Sequence, residues 1–154
     1  MMEFSDRWLY WSDTGSRRIE RASMDGSSQT ALHTANLRTP YALTIDYATQ
    51  TLYWADYALN KLESSNTDGS NRRLLTTNIR DPFAMTFFEG TLYWSDYSYN
   101  GIYSTLSSSP SRVTSLLSIG SDPYGIQVID KDLQFGGMSC IIPYYCYYFL
   151  LDNT

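Results

Sequence analysis

The sequence predicts an all-β chain, a partial β-propeller of about three four-stranded antiparallel blades followed by a hydrophobic tail. Three observations predict it. The stretch LYWSD at Leu9–Asp13 returns as LYWAD at Leu52–Asp56 and as LYWSD at Leu92–Asp96. A proline follows the tryptophan of each copy by 28 or 29 residues and opens the alternating segments PYALTID at Pro40, PFAMTFF at Pro82 and PYGIQVI at Pro123. No segment sustains a helical period. Repeats of about forty residues with four short strands each point to propeller blades.

Each element follows from its residues. The motif segments combine Leu, Tyr, Trp and Thr, which suit a pleated, half-buried surface. IERASMDGSS and LESSNTDGSN read as strands running into turns at Asp25-Gly26 and Asp68-Gly69, a hairpin signal because glycine tolerates positive φ. QTALHT and RRLLTT read as outer strands. Proline suits the first residue of a strand, where no ladder donor is lost. These elements place a partial propeller over residues 1–132, with repeats at about 9–51, 52–91 and 92–132, the first blade lacking its inner strand. Residues 133–154 form a divergent hydrophobic tail with no assigned domain.

Composition narrows the chemistry. A net charge of −5 without clustered Lys or Arg argues against a nucleic-acid surface. The pairs Arg17-Arg18 and Arg72-Arg73 read as solvated strand or turn positions. Cys140 and Cys146 both lie in the tail, as a disulfide or as free thiols, so the repeats do not depend on disulfides. Met1–Arg7 carries no apolar run of the kind a secretory signal needs. The uncharged run from Phe135 to Leu151 falls short of the roughly 20 residues of a membrane-spanning helix. His33, the single histidine, has no ligand or base partner at suitable spacing and reads as an outer-strand surface residue. No metal and no cofactor are expected.

The three Tyr-Trp-x-Asp copies, the two Asp-Gly-Ser turns and the three proline-led strands resemble the YWTD propeller of the low-density lipoprotein receptor family, from about Leu9 to Val128. WD40 repeats fit less well, because one residue separates Trp from Asp and no Gly-His opens the repeat. Ser12, Ala55 and Ser95 stand where the family has Thr. Stretches such as LYWADYALNKLESSNTDGSNRRLL are most similar to receptor-related proteins, including the Wnt co-receptor branch; nidogen and the epidermal growth factor precursor carry the same module. The resemblance implies six blades, of which this chain would hold the second half. The tail then stands in place of an EGF-like module, as in a truncated, spliced or gene-model fragment. Open blade faces and strand edges would make such a fragment prone to association.

Tyr10, Trp11 and Asp13, Tyr53, Trp54 and Asp56, and Tyr93, Trp94 and Asp96 occupy one place in every repeat. That argues for packing and backbone binding, since an active site needs different groups converging on one point. The resemblance implies ligand contacts from residues flanking each proline and from the residue after each motif. These are Arg38, Thr39 and Tyr41, then Arg80, Asp81 and Phe83, then Asp122 and Tyr124, with Tyr57 and Tyr97. Aromatic rings among mixed charges suit a protein-binding face. A propeller lactonase or glycosidase would need converging metal ligands or paired carboxylates, and only Asp81 and Asp122 lie near that mouth. The chain is therefore expected not to be an enzyme. The implied function is an extracellular ligand-binding module of a receptor-related cell-surface protein, in endocytosis or Wnt signalling. The parent would be anchored on the outer side of the plasma membrane, with Wnt-pathway, lipoprotein or matrix proteins as secreted partners. The alternatives are a nidogen-like matrix module and a non-functional truncated fragment.

Overall fold

The computed structural model describes residues 8–129 and 147–150, and every helix-or-strand element among them is a strand. Blade 1 holds β1 (Trp8–Asp13), β2 (Arg18–Ser23) and β3 (Thr30–His33) in that spatial order. Blade 2 holds β4 (Pro40–Asp46), β5 (Thr51–Asp56), β6 (Lys61–Asn66) and β7 (Arg73–Thr76). Blade 3 holds β8 (Pro82–Phe88), β9 (Thr91–Asp96), β10 (Gly101–Leu106) and β11 (Ser109–Ser118). All pairings within the blades are antiparallel, and among the described residues blade 1 holds no counterpart of the proline-led strand that opens the other two. The structural unit therefore runs from proline to outer strand, offset by one strand from the sequence repeat.

A third proline-led strand, β12 (Ile126–Ile129), follows Pro123 and pairs in parallel with β13 (Tyr147–Leu150). Nothing in the sequence pattern announces that pairing. Cys140 and Cys146 lie outside the described residues.

Local chemistry shapes the hairpins. Asp25 accepts from the backbone N–H and hydroxyl of Ser27, and Asp68 does the same with Ser70. Gly26 and Gly69 sit at φ of 83° and 90°, the conformation that only glycine adopts cheaply. Blade 3 lacks this Asp-Gly device. There Leu106 pairs directly with Ser109 across a tight turn, and β11 runs on for ten residues.

The core lies between blades rather than within them. Fully buried Trp54 packs with Ile19, Leu37 and Leu52 where blade 2 meets blade 1. Trp94 plays the same part between blades 2 and 3, against Ala55, Leu62, Ile79 and Met85. Trp11 has no preceding blade among the described residues; it stays half-buried and donates its indole N–H to Glu20 at 3.1 Å. One residue type at one register thus becomes core wherever a neighbouring blade covers it. The proline-led strands lie side by side, and the amide of Phe87 donates to the Thr44 hydroxyl at 3.2 Å.

Two expectations are corrected here. His33 is not a surface residue: it is 6% exposed, stacks on Trp54 at 4.7 Å, and shares a hydrogen bond of 2.9 Å with the Ser65 hydroxyl. The cause is the indole brought over the outer strand by the next blade. Arg72 is not freely solvated either. Its guanidinium binds both carboxylate oxygens of Glu63, at 3.1 and 2.9 Å, and donates to the carbonyls of Ala35 and Asn36. Lys61 adds an ion pair with Glu63 at 2.8 Å, so this cluster clamps blade 2 to the segment leaving blade 1. Arg17 and Arg18 are exposed, as expected.

Burial holds the His33 imidazole below its ordinary pKa of 6.5, and Arg72 adds to this while Glu63 opposes it. The folded state thus favours neutral His33, whereas the unfolded chain takes up a proton near 6.5. The stability tied to this site is complete above that value and is lost as pH falls through the folded-state pKa. Urea unfolding between about pH 7 and about pH 5 should show a falling midpoint. His33→Thr, which installs the residue found at the equivalent Thr76, should flatten that trend.

Candidate functional site

The buried motif aspartates build the ground on which the candidate residues stand. Asp56 is fully buried and accepts from the amides of Arg38 at 2.7 Å, Thr39 at 3.0 Å and Leu59 at 3.1 Å. One carboxylate thus caps its own turn and pins the linker from the preceding blade. Asp96 repeats the arrangement, accepting from Tyr99 at 2.9 Å and binding the amides of Ser98 and Arg80; burial nonetheless pushes its pKa up. Among the described residues Asp13 holds its own turn, through Gly15 and Ser16, in an exposed setting. The amide of Tyr57 then donates to Thr39 at 2.9 Å, and that of Tyr97 to Asp81 at 3.1 Å. In each full blade, the residue after the motif is therefore locked to the residue before the proline.

The residue after the proline is presented differently. In β4 the register slips between Pro40 and Ala42, and in β8 between Pro82 and Ala84. Tyr41 and Phe83 are the extra residues of these β-bulges, a device that re-aims a side chain and leaves it outside the ladder. The Tyr41 carbonyl accepts from the Ser12 hydroxyl of blade 1 at 3.2 Å.

These placements bring the five aromatic candidates into one row. Successive ring centroids lie 5.6 Å apart from Tyr57 to Tyr41, 5.2 Å to Phe83, 5.4 Å to Tyr124 and 5.9 Å to Tyr97. Tyr41, Tyr97 and Tyr124 remain 43%, 38% and 36% exposed, so the row is accessible along its length. Hydrogen bonding to Tyr124 and the charge of Asp122 hold the Tyr97 hydroxyl above the ordinary phenol range. Arg38 and Arg80 are exposed beside the row, while Asp81 accepts from the Ser98 hydroxyl. Thr39 is committed to the scaffold by both its amide and its carbonyl. Sequence reasoning missed Tyr99, which is exposed and lies under the Arg80 guanidinium at 5.7 Å. Its place three residues after the motif aspartate was the available signal.

The model of the low-density lipoprotein receptor repeat class B matches residues 7–47 and 50–89, together just over half of the chain. The chain belongs to this family. No curated protein matches it. Among solved structures, these class B blades are similar to a chain of a nidogen/laminin complex, with 22% identity and a TM-score of 0.51, over 77% of this chain and 63% of that one. Virginiamycin B lyase from Staphylococcus aureus shares 18% identity at a TM-score of 0.64, over 79% of this chain and 42% of the lyase. The luciferin-regenerating enzyme shares 17% at 0.61, over 70% and 38%. Such identities show the propeller fold alone, and the chain spans less than two thirds of each neighbour. Two of the three are enzymes, which corrects the expectation that this chain is not one. The propeller it shares supports catalysis elsewhere, so its fold is no ground for excluding an activity.

Proposed function

We propose that the class B blades of this chain form an extracellular protein-interaction module whose contact face is the row Tyr57, Tyr41, Phe83, Tyr124 and Tyr97. The observation behind this reading is that five aromatic residues, far apart in sequence, meet as one accessible row. Large rigid rings bury much area at little cost in side-chain entropy, and rims of opposite charge set orientation. Arg38, Arg80, Asp81 and Asp122 supply such a rim. The finer reading is a receptor-related cell-surface protein, acting in endocytosis or Wnt signalling outside the plasma membrane, with secreted proteins as partners. The similarity of the repeats to receptor-related sequences, and the largely extracellular use of class B repeats, support it.

Binding of the full chain to secreted Wnt-pathway, lipoprotein and matrix proteins by surface plasmon resonance tests the reading. Tyr41→Ala or Phe83→Ala should cost about 2 kcal/mol or more in affinity. Arg38→Ala or Asp81→Ala should mainly change association rate and salt dependence. Undiminished affinity in a folded variant lacking the rings of Tyr41, Phe83 and Tyr97 would move the binding face elsewhere.

A further inference from the structure

The two arginines beside the aromatic row are held alike. Arg38 and Arg80 each stand two residues before a proline, Pro40 and Pro82. A buried motif aspartate binds the backbone amide of each, Asp56 at 2.7 Å for Arg38 and Asp96 for Arg80. Their backbones therefore occupy equivalent, fixed places in successive blades. Both side chains are exposed. Among the described residues every ion pair involves Glu63, with Lys61 or Arg72, so neither guanidinium has a carboxylate partner. The Arg80 guanidinium lies over the Tyr99 ring at 5.7 Å, an aromatic contact rather than an ionic one.

The rim acids are placed differently. Asp81 and Asp122 are half-buried, and each is hydrogen-bonded within the scaffold. Asp81 accepts from the Ser98 hydroxyl, and Asp122 from the Tyr97 hydroxyl. With its amide oriented to satisfy both neighbours, Asn100 donates to the Tyr97 carbonyl at 2.8 Å and to Asp122 at 3.0 Å. An approaching partner thus meets two outward cations, while the carboxylates are turned to the protein's own donors. Beside those cations lie the exposed rings of Tyr41, Tyr97 and Tyr124.

We propose that the row recognises an acidic segment of its protein partner, with an apolar side chain on the rings and flanking Asp or Glu carboxylates held by Arg38 and Arg80. This rests on the reading of the row as a protein-binding face and adds the charge of what it binds. A guanidinium presents paired N–H donors in a fork that matches a carboxylate. A sulfated sugar would also answer the charge, but it brings no apolar side chain to the rings.

The ring resonances of Tyr41 and Phe83 in the full chain, assigned with Tyr41→Leu and Phe83→Leu, report titration with acetyl-Glu-Phe-Leu-Glu-amide. The same peptide with glutamine, and with lysine, in place of glutamate completes the set. The glutamate peptide should bind about three- to tenfold more tightly than the glutamine peptide at low salt, the range expected of two exposed charge pairs. The lysine peptide should bind most weakly. The preference for glutamate should shrink at high salt. It should vanish in the double variant Arg38→Gln, Arg80→Gln, whose backbone amides still reach the buried aspartates. Three results overturn the acidic partner but leave the row as a binding face: equal binding of the glutamate and glutamine peptides, a preference that survives in the double variant, or tighter binding of a heparin tetrasaccharide at the same rings. Rings that respond to none of the three peptides overturn the inference and count against the reading beneath it.

Discussion

Trp54→Ala is expected to lower stability by about 3–5 kcal/mol, the range seen when a large buried aromatic is truncated. The indole is fully enclosed where blades 1 and 2 meet, with Ile19, Leu37 and Leu52 around it and His33 stacked on it. Its loss leaves a cavity that no side chain can fill, because its neighbours are held by two different sheets. It also strips the aromatic surface from beneath Arg72. The same substitution at Trp11 should cost about 1 kcal/mol, since that ring is half-buried and bonded to Glu20 of its own blade. Urea unfolding of both variants checks the account. Equal losses would mean that the motif tryptophan works within its own blade rather than between blades.

Asp56→Ala should be of similar size, about 3–5 kcal/mol, by a different route. The substitution leaves the amides of Arg38, Thr39 and Leu59 without their acceptor in a part-buried setting, and each donor left unsatisfied there costs up to about 1–3 kcal/mol. The linker between blades loses its anchor at the same moment, so Tyr41 and Tyr57 should lose their fixed positions. Asp13→Ala is the control: its bonds are to an exposed turn, and the expected loss is within about 1 kcal/mol. Unfolding midpoints, together with the chemical shifts of the Tyr41 and Tyr57 rings, separate the two outcomes. An Asp56→Ala protein as stable as Asp13→Ala would remove the aspartate from its linker role.

The fold was legible because a propeller asks the same thing of every blade. Trp54 and Trp94 must reach the neighbouring sheet from one register, and Pro40 and Pro82 must open the strand beside it. Spacing alone therefore carried the architecture. The aromatic candidates came from the family resemblance, which points to the residues after the prolines, Tyr41 and Phe83, and after the motif aspartates, Tyr57 and Tyr97. What escaped notice depends on contacts between blades. His33 resembles any polar residue of an outer strand until Trp54 lies over it. Arg72 looks solvated until Glu63 and two carbonyls close on it. The bulges at Tyr41 and Phe83 leave no trace in composition, because they are a property of how β4 meets β5 and β8 meets β9.

Those bulges separate two evolutionary demands that most sheet positions must meet together. Tyr41 and Phe83 stand outside the paired register, so a change of side chain there alters what the surface offers without altering how the strands align. The spot can change in successive blades independently, while the Trp and Asp beneath keep the strands in register. A duplicated blade thus arrives with its scaffold finished and one position free to vary, and new specificity needs no new fold.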